Sequence, residues 1–264
     1  MTIEFFTGTP GSGKSYHALE VIIDLLEDGK HVIANFPLNF TERMIRKGYA
    51  DRYMYIPDEF LMGTDGMALL WQIAFEEIDD PSYVVKKETI HRFFMQGESL
   101  CTVVIDEAGN YFPPDQSTHP TQKKWQLFFR QHRKMGYDFL LISQGTNDIN
   151  KTIRSCVEYE VAHRKANRVA PFKWLPWTLF FYVRYWCADR KRQLLGSESS
   201  IYHKGFAGLY DTHKMFGNFE EKMELDLEAF NSWSNFEFKF GNVIALNEAA
   251  KELEYEEGSE KDVS

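Results

Sequence analysis

The chain has 264 residues, 44% hydrophobic and 16% aromatic, with 39 acidic and 30 basic side chains and a net charge of −9. That is enough apolar material to bury a large core, as one α/β domain or as one domain with an appendage, and it excludes disorder over most of the length. The three cysteines, Cys101, Cys156 and Cys187, lie far apart without metal-ligand spacing, which fits a reduced, cytosolic compartment.

The chain opens on Met1-Thr2-Ile3-Glu4 without a basic n-region, so no secretory signal is expected. Ile3-Glu4-Phe5-Phe6-Thr7 suits a buried strand, and Ala18, Leu19, Ile22, Leu25 and Leu26 recur beyond it at helical spacing. Between the two lies Gly8-Thr9-Pro10-Gly11-Ser12-Gly13-Lys14-Ser15, a complete G-x-x-x-x-G-K-[ST] phosphate-binding loop. The glycines let backbone N–H groups close around phosphate oxygens, Lys14 reaches the β- and γ-phosphates, and the Ser15 hydroxyl can ligate Mg2+. An ordinary Gly-rich turn rarely falls at such a strand-to-helix junction by chance. Gly8 through Ser15, with the next residue Tyr16, are therefore the expected ATP-binding set.

Asp28-Gly29 is a helix stop and His31-Val32-Ile33-Ala34-Asn35-Phe36 a second strand, so the start of the chain reads as a βαβ unit and predicts a parallel sheet. Residues 39–95 are mixed, with helical pattern around 66–78 and 89–95, and are expected to form a helical insertion. Leu100-Cys101-Thr102-Val103-Val104-Ile105 is a nearly unbroken apolar run, as a central parallel strand requires. Asp106-Glu107 follow it directly. An acidic residue at this strand end can hold the Mg2+ that Ser15 also ligates, and an adjacent glutamate can polarise the water that attacks the γ-phosphate. Asp106 and Glu107 accordingly join Lys14 as expected catalytic residues, with Asp106 and Ser15 also the expected Mg2+ ligands. The plainer alternative is that the two acids start a loop and cap a helix.

A loop rich in proline leads to an aromatic, basic helix over 121–135, ended by Gly136, and 137–144 and 156–162 read as two further buried strands. Gln144, in Ser143-Gln144-Gly145, is placed either to sense the γ-phosphate and orient the water or simply to turn the chain. Arg130, Arg133 and Arg154 are candidate arginine fingers acting across a subunit boundary, and for each a surface or salt-bridge role is the alternative. His132 and His163 lack partners at metal spacing and read as packing or basic-surface residues. Residues 121–173 hold eleven basic against four acidic side chains, a local +7 that is either a solvated helix face or a surface meeting a phosphate backbone. Segments 177–188 and 193–203 flank a polar Asp189-Arg190-Lys191-Arg192 and predict a hairpin. The most apolar stretch, 169–186, contains Lys173, Arg184 and two prolines and makes no convincing membrane span. Residues 219–264 carry thirteen acidic and four basic side chains and are expected to be an acidic, partly disordered tail. The expected organisation is thus a P-loop ATPase domain over 1–168, a β-hairpin extension of it over 169–218, and the tail.

The phosphate loop, Ala34-Asn35-Phe36, Val104-Ile105-Asp106-Glu107-Ala108, the Arg-rich segment from Arg130 to Asp138, Ser143-Gln144 and Gly208-Leu209-Tyr210-Asp211-Thr212-His213, in this order, resemble the zonular occludens toxin (Zot) family. That family contains the gene I morphogenesis ATPases of filamentous phages. The resemblance covers most of the chain, and it implies a cytoplasmic, oligomeric P-loop ATPase working at the host inner membrane, where single-stranded phage DNA is coated and extruded. It implies phosphate and Mg2+ roles for Lys14 and Ser15, and metal and water roles for Asp106 and Glu107. Phage members usually carry a membrane span after the ATPase domain and none is evident here. The chain is therefore expected to dock on a separate membrane-embedded assembly partner or to package DNA without an anchor; nothing in these residues speaks for toxin activity.

The expected fold is an α/β three-layer P-loop NTPase with a mainly parallel sheet, carrying an extra strand between the loop strand and the Asp106 strand, plus a small β-containing C-terminal extension. The expected function is ATP hydrolysis, with Mg2+, powering export or packaging of phage or mobile-element DNA, with single-stranded DNA or phage nucleoprotein and further copies of the chain as partners. A nucleotide-gated assembly scaffold and a small-molecule or nucleoside kinase are the alternatives.

Overall fold

A computed structural model of the chain describes residues 1–56, 64–75, 99, 101–166, 177–187 and 192–210. Its strands are β1 (Ile3–Thr7), β2 (His31–Ala34), β3 (Tyr53–Tyr55), β4 (Cys101–Ile105), β5 (Tyr137–Ile142), β6 (Tyr159–Lys165), β7 (Leu179–Trp186) and β8 (Gln193–Ile201). They form one sheet in the order β3-β2-β4-β5-β1-β6-β7-β8. Every pairing from β3 to β6 is parallel, and β7 and β8 add on antiparallel. β5 lies between β1 and β4, which is the extra strand expected between the phosphate loop and Asp106.

The strands are apolar on both faces, so both faces must be covered. On one side Phe5, Ile33, Val103, Ile105, Phe139 and Leu141 pack with Leu69, Leu70 and Ile73 of helix α2 (Thr64–Phe75) and with Trp125, Phe128 and Phe129 of α3 (Pro120–Met135). On the other, Phe6, Val32, Ala34, Val104, Leu140 and Ile142 meet Ala18, Leu19, Ile22 and Leu26 of α1 (Lys14–Glu27). The result is three layers, with the phosphate loop at the carboxyl edge of the parallel strands.

α3 begins with a proline at its first turn, ends in His132, Arg133 and Lys134, and stops at Gly136, whose φ of 79° lets its N–H close back on the carbonyls of Arg133 and His132. Its Lys123, Lys124, Arg130, Arg133 and Lys134 are exposed, so the basic stretch is an outward face.

Several segments differ from the sequence reading. Within 39–95, expected to be helical, Tyr53-Met54-Tyr55 is a buried strand paired in parallel with β2; its three residues are too few to show a period. The helical pattern near 66–78 corresponds to α2, whereas the one at 89–95 lies outside the described residues, as do the acidic tail and Asp211-Thr212-His213. The strand expected at 156–162 runs instead from Tyr159 to Lys165, because Cys156 and Val157 turn the chain out of the short helix Lys151–Arg154. The predicted hairpin is present, and β7 pairs with the whole of β6, so it prolongs the main sheet. Among the described residues no helix is long and apolar enough to cross a membrane.

Phe129 is fully buried, with ring centroids of Phe112, Trp125 and Phe139 at 5.3, 5.8 and 4.8 Å. Phe129→Ala is expected to lower the unfolding free energy by about 3–5 kcal/mol in urea denaturation, since the rigid strands beneath it cannot close the cavity. A loss below about 1 kcal/mol would show that α3 collapses onto the gap.

Candidate nucleotide-binding site

The loop between β1 and α1 is held by contacts that leave no room for side chains at two glycines. A Cβ on Gly8 would lie 2.6 Å from the His163 carbonyl and from Ser12 Oγ, and one on Gly13 would lie 2.6 Å from the Phe180 ring. Gly13 also has φ 97°, a conformation that L side chains rarely adopt. Ser12 N–H donates to the Thr9 carbonyl at 3.0 Å, closing a turn, and Lys14 Nζ donates to the Gly8 carbonyl at 2.9 Å. Ser12 Oγ is buried and has no hydrogen-bond partner among the described residues, an orphan donor inside a loop whose sequence suits phosphate. Burial lowers the Lys14 ammonium pKa below its ordinary value, while the charges of Asp106, Glu107 and Asp148 act to raise it.

Asp106 follows β4, and β5 separates that strand from β1, yet Ser15 Oγ donates to Asp106 Oδ2 at 3.2 Å. The same carboxylate oxygen accepts from Tyr210 OH at 3.1 Å, and Asp106 Oδ1 accepts from the Glu107 N–H at 2.9 Å. Asn35, just past β2, clamps the backbone: its Nδ2 donates to the Asp106 carbonyl at 3.0 Å and its Oδ1 accepts from Asp106 N–H at 2.8 Å. Burial raises the Asp106 pKa, and the bonds from Glu107, Tyr210 and Ser15 together with the Lys14 charge oppose it. Glu107 has φ 49°, an uncommon left-handed conformation for a residue with a Cβ, where it begins the short helix Ala108–Tyr111. The Ser15 hydroxyl and the Asp106 carboxylate are hard oxygen donors and fit Mg2+, which takes one or two protein ligands and completes its shell with water and phosphate. Among the described residues no cluster of three or more His, Cys, Asp or Glu could hold a metal by itself.

The remaining candidates fall into two groups. Gln144 lies next to the loop: its carbonyl accepts from Gly8 N–H at 3.3 Å, and its residue is exposed. Asp148 shapes the turn that follows, accepting from Ser143 Oγ at 3.0 Å and Gly145 N–H at 2.6 Å. Arg154 is tied to that turn through the Thr146 carbonyl at 2.8 Å and Asn147 Oδ1 at 2.6 Å. Arg133 pairs with Glu158, at the edge where the parallel strands begin and so at the far end of the sheet from the loop. Arg130 is exposed on the same half of α3. Tyr16 is boxed in, its ring against Phe180, Tyr202 and Phe206 and its hydroxyl between the Ile201 carbonyl and His203 N–H, both at 3.2 Å.

Behind the loop sits a pair of packing histidines. His163 Nδ1 lies 3.1 Å from the Thr7 carbonyl and its Nε2 2.8 Å from His17 Nδ1, and the His17 ring is stacked between Phe6 and Tyr182, with centroids at 4.6 and 3.8 Å. Burial keeps both rings neutral near pH 7, so His163, which donates from Nδ1 to a carbonyl, accepts at Nε2 from His17 Nδ1–H. His132 is likewise buried, with Nδ1 bonded to the Phe129 carbonyl at 2.7 Å. The sequence reading gave no role to Asn35, Tyr210 or His17. Asn35 and Tyr210 stood inside segments quoted for the family resemblance, and that was the available signal.

Comparison with models of known families matches residues 2–175 to the family described as Zonular occludens toxin (Zot). The chain belongs to the Zot family. Among solved structures, this Zot-family chain is similar to the N-terminal domain of zonular occludens toxin from Neisseria meningitidis, at 18% identity and TM-score 0.42, covering 80% of this chain and 98% of that one. It is also similar to B204, the DNA-packaging ATPase of Sulfolobus Turreted Icosahedral Virus, at 15% identity and TM-score 0.46, covering 74% and 97%. A DnaB-like replicative helicase matches at 10% identity and TM-score 0.45, covering 77% and 57%. No curated protein matches the chain.

The histidine pair makes a pH prediction. Burial, before any other cause, drives the pKa of His17 from 6.5 to about 3 and that of His163 to about 4. Between about pH 6.5 and 4 the unfolded chain therefore binds more protons than the folded one, and stability falls as pH drops through that window, by at most about 1.4 kcal/mol per pH unit for each ring. His17→Gln should flatten this slope in urea titrations run from pH 7 to 4.5. An unchanged slope would assign the acid limb to other groups.

Proposed function

We propose that this chain hydrolyses ATP with Mg2+ and uses the energy to move DNA during phage assembly or genome packaging. The observation that carries the reading is the 3.2 Å bond from Ser15 Oγ to Asp106 Oδ2, which joins a hydroxyl of the phosphate loop to the carboxylate at the end of β4, one strand beyond its neighbour β5. When bound, Mg2+ would neutralise charge developing on the β- and γ-phosphate oxygens. Lys14, whose ammonium interacts with the charges of Asp106, Glu107 and Asp148, exchanges the Gly8 carbonyl for phosphate oxygen, and the orphan Ser12 hydroxyl gains an acceptor.

Glu107, fixed beside Asp106 by its own N–H, takes a proton from the attacking water. A P–O bond to that water forms at the γ-phosphorus as the bridging bond to the β-phosphate breaks, releasing ADP and inorganic phosphate. Gln144, next to the loop at the end of β5, orients the same water. Arg133 and Arg154 have partners within their own chain, so exposed Arg130 is the arginine we assign to reach a second copy's site. The outward basic face of α3 supports contact with a phosphate backbone, and Zot-family membership supports the phage setting, in the cytoplasm against a membrane-embedded assembly partner.

Glu107→Gln should retain ATP binding and lose about 100-fold or more in phosphate release, whereas Lys14→Ala should lose both. Transfer to an added acceptor without free phosphate would identify a kinase. Particle production that survives Glu107→Gln while hydrolysis is gone would identify a scaffold. Single-stranded DNA should stimulate wild-type turnover at low salt, and the stimulation should fade as salt rises; turnover indifferent to DNA at every salt concentration would remove the motor from the reading.

A further inference from the structure

The described site contains a feature that the phosphate chemistry does not use: an aromatic wall beside the loop, on the side away from Asp106. Phe180 of β7 touches Gly13, and around it stand Tyr16, Tyr202 and Phe206. The Tyr16–Phe180, Tyr16–Tyr202 and Phe180–Tyr202 centroids are 5.6, 5.4 and 6.3 Å apart. Tyr202 is held in place by its N–H on the Thr178 carbonyl at 2.9 Å, yet it is 40% exposed, whereas Tyr16, bonded at its hydroxyl and surrounded by rings, serves as its support. On its other side, past Tyr16 and Phe206, the wall borders a cleft of about 480 Å³ that carries Glu20, Asp24, Glu198 and His203 and that Tyr202 does not line.

Direction follows from the helix itself. Ser15 points toward Asp106 and β4, so the metal and the γ-phosphate belong on that side of α1. Tyr16, the next residue on the helix, points the opposite way along the sheet, toward β7 and β8. A nucleotide whose last phosphate lies at Asp106 must leave its sugar and base on the side of Tyr16, where the wall stands. We infer that the exposed face of Tyr202 is the stacking platform for the purine base of the bound nucleoside triphosphate, with Tyr16 and Phe180 as its backing. This rests on the triphosphate reading above, and it adds the part of the ligand that loop and metal leave unread.

The test compares ATP with inorganic tripolyphosphate by calorimetry, because the two share the phosphate chain and differ by the nucleoside. Wild-type protein should bind ATP more tightly. Tyr202→Ala should weaken ATP about tenfold while leaving tripolyphosphate unchanged, which also shows that the loop is intact, and Tyr202→Trp should restore ATP binding. Equal weakening of both ligands, or an unchanged ATP affinity in Tyr202→Ala, would overturn the platform. Wild-type protein that binds neither ligand would overturn the triphosphate reading and the platform with it, whereas equal wild-type affinity for both would overturn the platform alone.

Discussion

The site depends on one contact made across a strand. Ser15 and Asp106 belong to chain segments 91 residues apart, and β5 lies between their strands, yet their side chains bond at 3.2 Å. Parallel strands make this workable, because they all end at one edge and bring their following loops to the same level. The strand order then decides what meets there. With β5 between β1 and β4, the end of β5 carries the Gln144 segment between Lys14 on one side and Asp106-Glu107 on the other.

Holding a carboxylate in that place is costly, and the surroundings show how the cost is offset. Asp106 is taken out of water, which favours its neutral form, and two hydroxyls, one backbone N–H and the Lys14 ammonium act against that tendency. Asn35 adds rigidity by using both the nitrogen and the oxygen of its side-chain amide on the Asp106 backbone, while Ser15, Tyr210 and the Glu107 N–H hold the carboxylate itself. The strained backbone at Glu107 belongs to the same arrangement: a residue forced to positive φ keeps that conformation only where the groups around it are fixed. If the proposed hydrolysis takes place here, a site preorganised in this way has little left to rearrange around Asp106 and Glu107 as charge develops on a phosphate.

Much of this was legible in the sequence because its signals are local. The phosphate loop, the apolar run before Asp106-Glu107 and the amphipathic pattern of α3 are each contained within a few turns of chain. The partners of the same residues are not. Asn35 meets Asp106 from 71 residues away, Tyr210 from 104, and His17 meets His163 from 146. No spacing rule covers such distances, so these side chains could be read only as packing or as parts of a family pattern. β3 was hidden for a different reason, since its two tyrosines and one methionine become a strand through pairing with β2 and not through any period of their own.

Phe180 against Gly13 ties the end of the described chain to its beginning. Trimming the protein after β6, where a reader of the sequence would place the close of the nucleotide-binding domain, would strip that ring from the loop, remove Tyr182 from the His17 stack and take the Tyr210 hydroxyl from Asp106. It would also leave β6 as a bare edge, ready to recruit strands from other molecules. The smallest fragment worth expressing therefore reaches at least Tyr210, and the hairpin belongs in any recombinant form meant to bind nucleotide.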